Sequence, residues 1–293
     1  MNETEARAAL RGILVTLGIE RGDTVYLGID MARAPLPKYP ATFSPAGIRD
    51  REERWCQFVL GVLLDAIGPQ GTLLAPSFSY AYAREGKPYY HETSPSETGP
   101  FTEYLRTRPG AVRSFHPLNS VSGVGVHAHA ILDDVGRAGY GALSPFARLG
   151  GYRTKFLCLG SPLGISLTHA HHLEHMYGVN HMYHKVYTVP AYRDGKPVPG
   201  PWLCFVRYLG ADIEPGIGNL ERRLRAMGLL KEIRFSGHPM QCVEATDAER
   251  EGYAMLKEDP CAFLEETIEV HVEAPGAAPQ PTCARAVHLA IRS

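Results

Sequence analysis

The sequence has 293 residues, 44% of them hydrophobic and 21% charged, with a formal net charge of -1. That length buries a full core as one large domain with room for a smaller lobe, and the balanced charge supplies no global field for nucleic acid or an anionic membrane. Acids and arginines interrupt the apolar residues of the first twenty positions, unlike a secretion or transit leader, and no apolar run reaches bilayer length, so the expected location is cytoplasmic.

Leu10, Ile13, Leu14 and Leu17 recur at helical spacing and predict an opening helix, closed by a turn at Gly22-Asp23. The β-branched and aromatic run Thr24 to Ile29 predicts a buried strand. Prolines at 35, 37, 40 and 45 then make 34–47 a loop. A helical stripe from Ile48 to Ile67 and an apolar strand from Gly71 to Ser79 follow, and strand, loop, helix, strand is the signature of a parallel α/β layer. Polar residues 80–99 read as a loop or part of a substrate lobe. A short helix is expected from Gly99 to Arg106, a small-residue-rich helix over 121–135 and a central strand from Thr154 to Gly160. The runs Val186 to Tyr192 and Trp202 to Leu209 flank Asp194-Gly195, a hairpin signal. Helices are expected over Leu220 to Leu230 and Glu249 to Phe263, and the proline- and alanine-rich stretch Ala274 to Pro281 reads as a linker. The expected architecture is therefore α/β, a mostly parallel or mixed central sheet flanked by helices. Residues 1–272 would form one domain, with a smaller antiparallel and helical lobe over about 185–240, and 273–293 a tail. Six cysteines standing singly, without a Cys-x-x-Cys pair, read as reduced thiols and give thiolate-bound zinc no support.

Two stretches carry chemistry-bearing residues that core patterning does not explain. In Arg113-Ser-Phe-His-Pro-Leu-Asn-Ser120, Arg113 and Ser114 suit a phosphate or carboxylate, and His116 suits proton transfer; a surface turn is the alternative. Thr168 to His184 holds six of the thirteen histidines. Thr168, His171 and Glu174 recur every three residues and would share one helix face. Three readings stay open there. His171 is a general base oriented by Glu174, or His171-x-x-Glu174-His175 binds zinc as a hydrolase with Glu244 as a further ligand, or the histidines are structural. Gly-x-Ser-x-Gly, Gly-x-Gly-x-x-Gly and the phosphate-loop pattern are absent, so the sequence supports neither serine acyl-enzyme chemistry nor nucleotide use.

Taken together, the segments from about Leu10 to Phe263 resemble the aminoglycoside 3-N-acetyltransferase family. The likeness is carried by Gly71 to Ser79, by Tyr104 to Ser120, and by Ser144-Pro-Phe, Leu157 to Gly160 and Thr168-x-x-His171-x-x-Glu174 in that order. The resemblance implies acyl transfer from a coenzyme A thioester, usually acetyl-CoA, to an amine of a small molecule, with no metal and no covalent enzyme intermediate. It also implies that His171 takes the proton of the attacking amine, Glu174 orients it, Thr168 stabilises the oxyanion, and Arg113, Ser114, His116 and Ser120 hold the cofactor. Two stretches depart from the family pattern. Gly28 to Arg33 replaces its His-Ser-Ser and glycine-rich loop, which opens the alternative of another thioester, such as one borne by an acyl carrier protein. Residues 80–99 lack its antibiotic-binding segment, which points to an acceptor other than an aminoglycoside. A ligand-binding relative without turnover is the non-enzymatic alternative.

Overall fold

The computed structural model describes residues 1–39, 44–208, 213–266, 269–273 and 286–290. Its centre is a seven-stranded sheet in the order Lys231–Phe235, His238–Glu244, Thr154–Leu159, Thr24–Ile29, Thr72–Pro76, Val121–Gly125, Val112–Arg113. The Thr24–Ile29 strand pairs in parallel with both of its neighbours, whereas the pairs toward either edge are antiparallel. This is the expected α/β class, with a mixed sheet.

Continuous apolar strands need cover on both faces, and here alternate side chains divide between two cores. Val25, Leu27, Leu157 and Leu159 join Leu10 and Leu14 of the Glu3–Thr16 helix and Val59 and Leu63 of the Pro45–Ile67 helix. Tyr26, Phe156 and Cys158 point the other way, onto Ala170 and Leu173 of the His169–Tyr177 helix and Leu256 of the Ala245–Glu258 helix. The histidine stretch is thus pinned by its apolar positions to one face of the sheet, just beyond the carboxyl end of the central Thr154–Leu159 strand. Cys56, Cys158, Cys204 and Cys242 are free thiols buried in these cores.

Several elements differ from their sequence expectation. The helix expected over 121–135 is a strand, Val121–Gly125, followed by the one-turn helix Ala128–Leu132. The small residues serve close strand approach: a Cβ on Gly123 would meet the Leu73 carbonyl oxygen at 2.6 Å and run into the Leu74 side chain. The single hairpin expected around Asp194-Gly195 is two units. Ala191–Arg193 and Lys196–Val198 close the tight turn, while Trp202–Arg207 pairs antiparallel with the earlier strand Met182–Tyr187. Residues 80–99 contain a short helix, Tyr80–Arg84, and a two-residue strand, Tyr89–Tyr90, that pairs in parallel with Ala191–Tyr192. Because Lys231–Phe235 and His238–Glu244 belong to the central sheet, a lobe outside it ends before residue 231. The two later helices start a few residues early, at Gly218 and Ala245. The proline-rich loop ends at Ser44, which caps the Pro45 helix through a hydrogen bond from the Gly47 amide at 3.1 Å; its residues 40–43 lie outside the described residues. So does the linker expected over 274–281, although Glu269–Glu273 and Ala286–Ala290 on either side of it pair in parallel.

Candidate active site

The His169–Tyr177 helix begins after Thr168 and ends at Gly178, whose left-handed backbone (φ 80°) lets its amide bond the Glu174 carbonyl. Within it, His171 and Glu174 are one turn apart on the same side, and the helix brings their side chains together as their spacing predicts. His171 Nδ1 lies 2.7 Å from Glu174 Oε2. The chain then turns back so that His181 Nε2 reaches the other carboxylate oxygen at 3.3 Å. Burial raises the Glu174 pKa, but hydrogen bonds from the two imidazoles outweigh it and hold the carboxyl down at about 2. His181 goes the other way: burial lowers it, and Cys261 and Glu174 lift it above its ordinary value. A carboxylate at Glu174 accepts, so Nδ1 of His171 is the donor, which in a neutral ring leaves the lone pair on Nε2.

His171 and Thr168 line one cleft of about 650 Å³. Thr168 makes no cap bond to its own helix; it lines the cleft, with its hydroxyl beside that of Tyr26. Beside them Tyr140 packs its ring 5.5 Å from that of His171, and its hydroxyl accepts from Asn119 Nδ2 at 2.9 Å. Asn119 is held in turn by the Cys204 thiol, 3.1 Å from its Oδ1.

The other histidines of the stretch are engaged elsewhere. His172 donates from Nδ1 to the Tyr140 carbonyl at 2.7 Å. His169 is buried against Phe156 and His172, and burial lowers its pKa to about 3. His175 meets His184 through their Nε2 atoms at 3.0 Å. Glu244, the formal candidate for a further zinc ligand, pairs with Lys155 at 3.5 Å. Among the described residues no group of three or more histidine, cysteine or acidic side chains is placed to hold a metal ion.

The four residues expected to hold the cofactor are not brought to the cleft. Arg113, 8% exposed, commits its guanidinium to the protein: to the carbonyls of Ser77, His91 and Ser94 and the hydroxyls of Ser79 and Ser120, at 2.6–3.2 Å. Ser120 donates to the Ser77 carbonyl at 2.6 Å, and Ser114 accepts from the Val121 amide at 2.9 Å. His116 accepts the Asn119 amide on Nδ1 at 2.9 Å and donates from Nε2 to the Arg137 and Leu203 carbonyls, both at 3.2 Å. Burial keeps it neutral, with its pKa lowered to about 4. The octapeptide is a buried clamp that sets Asn119 in the cleft and ties down the end of the Thr72–Pro76 strand. Asn119, Tyr140 and His181 were not singled out by sequence reasoning, since no spacing pattern links them to His171.

Comparison with known proteins identifies the family and the fold. The family model described as aminoglycoside 3-N-acetyltransferase matches residues 49–257, most of the chain. The chain belongs to the aminoglycoside 3-N-acetyltransferase family. Among relatives of the family, the aminoglycoside N(3)-acetyltransferase VIII of Streptomyces fradiae is 36% identical over 140 residues, 40% of this chain and 48% of the relative. The type IX enzyme of Micromonospora chalcea is 29% identical over 161 residues, 48% of this chain and 57% of the relative. The chain thus spans about half the length of the curated relatives it matches. In three dimensions the likeness is more extensive. Aminoglycoside acetyltransferase AAC(3)-Xa superposes with a TM-score of 0.69 at 25% identity, covering 87% of this chain and 97% of that one. A structure of AAC-IIIb in binary complex with CoASH gives 0.68 at 23% identity, over 86% and 96% of the two chains, and bears on the fold alone. Among the described residues no helix is long and apolar enough to cross a membrane.

Proposed function

We propose that this protein transfers an acetyl group from acetyl-CoA to an amine of a small molecule, with His171 as general base. The observation that carries the proposal is the His171–Glu174 pair, bonded at 2.7 Å with His171 on the cleft wall, in a chain of this family. The amine nitrogen attacks the thioester carbonyl and forms a tetrahedral intermediate. His171 Nε2 accepts the proton the nitrogen sheds, the intermediate collapses with cleavage of the carbon–sulfur bond, and the thiolate leaves. Glu174 fixes the tautomer and stabilises the imidazolium, and His181 keeps the carboxylate from rotating. Thr168, one turn before His171 on the same wall, donates its hydroxyl to the oxyanion.

The relatives are named for aminoglycosides, and solved neighbours carry sisomicin or a gentamicin. Those two compounds therefore head the acceptor panel, and neither a carrier-protein donor nor a zinc hydrolase gains support from the relatives. The test is thiol release from acetyl-CoA with the panel, for wild type and His171→Ala. Acceptor-dependent release is expected only in wild type; release that survives in the variant removes His171 as the base.

A further inference from the structure

Tyr26, in the middle of the Thr24–Ile29 strand, faces the side of the sheet that carries the histidine helix. Its ring packs against those of Phe146 and Phe156, each centroid 5.9 Å away, and 2% of the residue is exposed. That packing sets its hydroxyl at the start of the His169–Tyr177 helix, beside the hydroxyl of Thr168. Among the described residues the Tyr26 hydroxyl is buried and completes no hydrogen bond. Phenylalanine would fill the same apolar space without leaving a donor unpaired, so the hydroxyl calls for a use. Burial raises the Tyr26 pKa and outweighs the opposing effect of the Thr168 hydroxyl, so the group stays a phenol with a proton to donate. Thr168 lines the cleft of His171, whereas Tyr26 stands behind it and is not part of the wall.

A threonine hydroxyl has one proton and two lone pairs. Because Thr168 makes no cap bond, its own helix does not decide where that proton points. A donor behind it does. When a phenol gives its hydrogen bond to Thr168 Oγ1, one lone pair is taken from the core side and the threonine proton is left for the cleft. The reverse sense, Thr168 donating to Tyr26, would spend the proton that an oxyanion needs. We infer that Tyr26 is a positioning residue, which donates to Thr168 Oγ1 and so holds the threonine proton toward the developing oxyanion. The phenol keeps its own proton throughout. A hydroxyl fixed by the packing of its ring needs no reorganisation when charge develops. The inference deepens the acetyltransferase reading and rests on it for the role of Thr168.

The test is a double-mutant cycle on the whole protein with Tyr26→Phe and Thr168→Val, each close in shape to the residue it replaces. Thiol release from acetyl-CoA, with the acceptor panel headed by sisomicin and gentamicin, gives kcat and KM. Thr168→Val should lower kcat by about 10²-fold and Tyr26→Phe by about tenfold, with both KM values unchanged. Added to Thr168→Val, Tyr26→Phe should cost less than about twofold more, because its acceptor is already gone. Thr168→Ser keeps the hydroxyl and should keep the about tenfold sensitivity to Tyr26→Phe. A kcat for Tyr26→Phe within about twofold of wild type, or a loss that persists undiminished beside Thr168→Val, overturns the inference. Urea unfolding of the same proteins reads the hydroxyl pair without turnover. The double variant should change the unfolding constant about threefold less than the product of the single effects, and independent effects overturn the inference. Absence of transfer by wild type with every acceptor would sink the acetyltransferase reading, and the unfolding cycle would still decide the hydroxyl pair.

Discussion

The octapeptide Arg113 to Ser120 and the ladder Thr168, His171, Glu174 carry the same kinds of side chain, yet the fold uses them in opposite senses. Arg113 turns every donor inward onto carbonyls and hydroxyls, and His116 is locked neutral between backbone groups. His171 engages one nitrogen with Glu174 and leaves the other at the cleft. The lesson is that polar side chains which fit no core pattern mark either a buried polar clamp or a reacting group. What separates the two is whether a donor or lone pair remains open once the protein's own bonds are made.

The sharpest way to break this contrast is to exchange the expected phenotypes. His171→Ala should lower kcat by about 10³-fold with little change in melting temperature. Steady-state kinetics beside a thermal melt would read both, and a large loss of stability would place His171 among the clamps. Glu174→Gln should cost about 10²-fold in kcat, since the amide cannot hold two donating imidazoles. The same variant has a pH signature. The folded Glu174 pKa, about 2, lies below its ordinary 4.5, so its stabilisation is complete above pH 4.5 and fades as pH falls toward 2, an amount on the order of 3 kcal/mol. Urea unfolding between pH 5.5 and 3 should show a steeper loss in wild type than in Glu174→Gln. Arg113→Ala should act through stability, by about 3 kcal/mol, because several buried acceptors lose their donor at once. Activity per folded molecule should stay within a few-fold, and a kcat effect as large as that of His171→Ala would restore Arg113 to the chemistry. His175→Ala, which breaks the half-exposed His175–His184 contact and a ring contact with Phe205 at 4.9 Å, should change kcat less than twofold and stability by less than about 1 kcal/mol; a tenfold drop in kcat would show that this pair also serves the cleft.

Much of the fold is legible in the order of the residues. Runs such as Thr24 to Ile29 and Thr154 to Leu159 are apolar on both faces, and only a covered central strand tolerates that. The ladder in the histidine helix follows from spacing alone. What is not legible depends on contacts distant in sequence. Gly123 and its small neighbours suit a helix or a strand equally until Leu73 and Leu74 stand beside them. His181 reaches Glu174 only because the chain reverses after the left-handed Gly178. Arg84, Lys185 and Arg207 lie in three separate segments, and only the folded chain brings them to the cleft of His171. Arg113 stands out in the sequence by its charge, but the five oxygens that accept from its guanidinium are legible only in the folded chain.

The two borders of the central sheet have a bearing on how the protein behaves in concentrated solution. On one side the sheet stops at Val112–Arg113, two residues long, and on the other at Lys231–Phe235, which displays Lys231 and Arg234 outward. A stub offers too few unpaired amides and carbonyls to template an incoming chain, and a positively charged margin penalises the approach of an identical one. The antiparallel flanks thus terminate a sticky parallel centre in two margins that resist lateral growth, and a sheet built for a cleft is also guarded against fibrillar self-association.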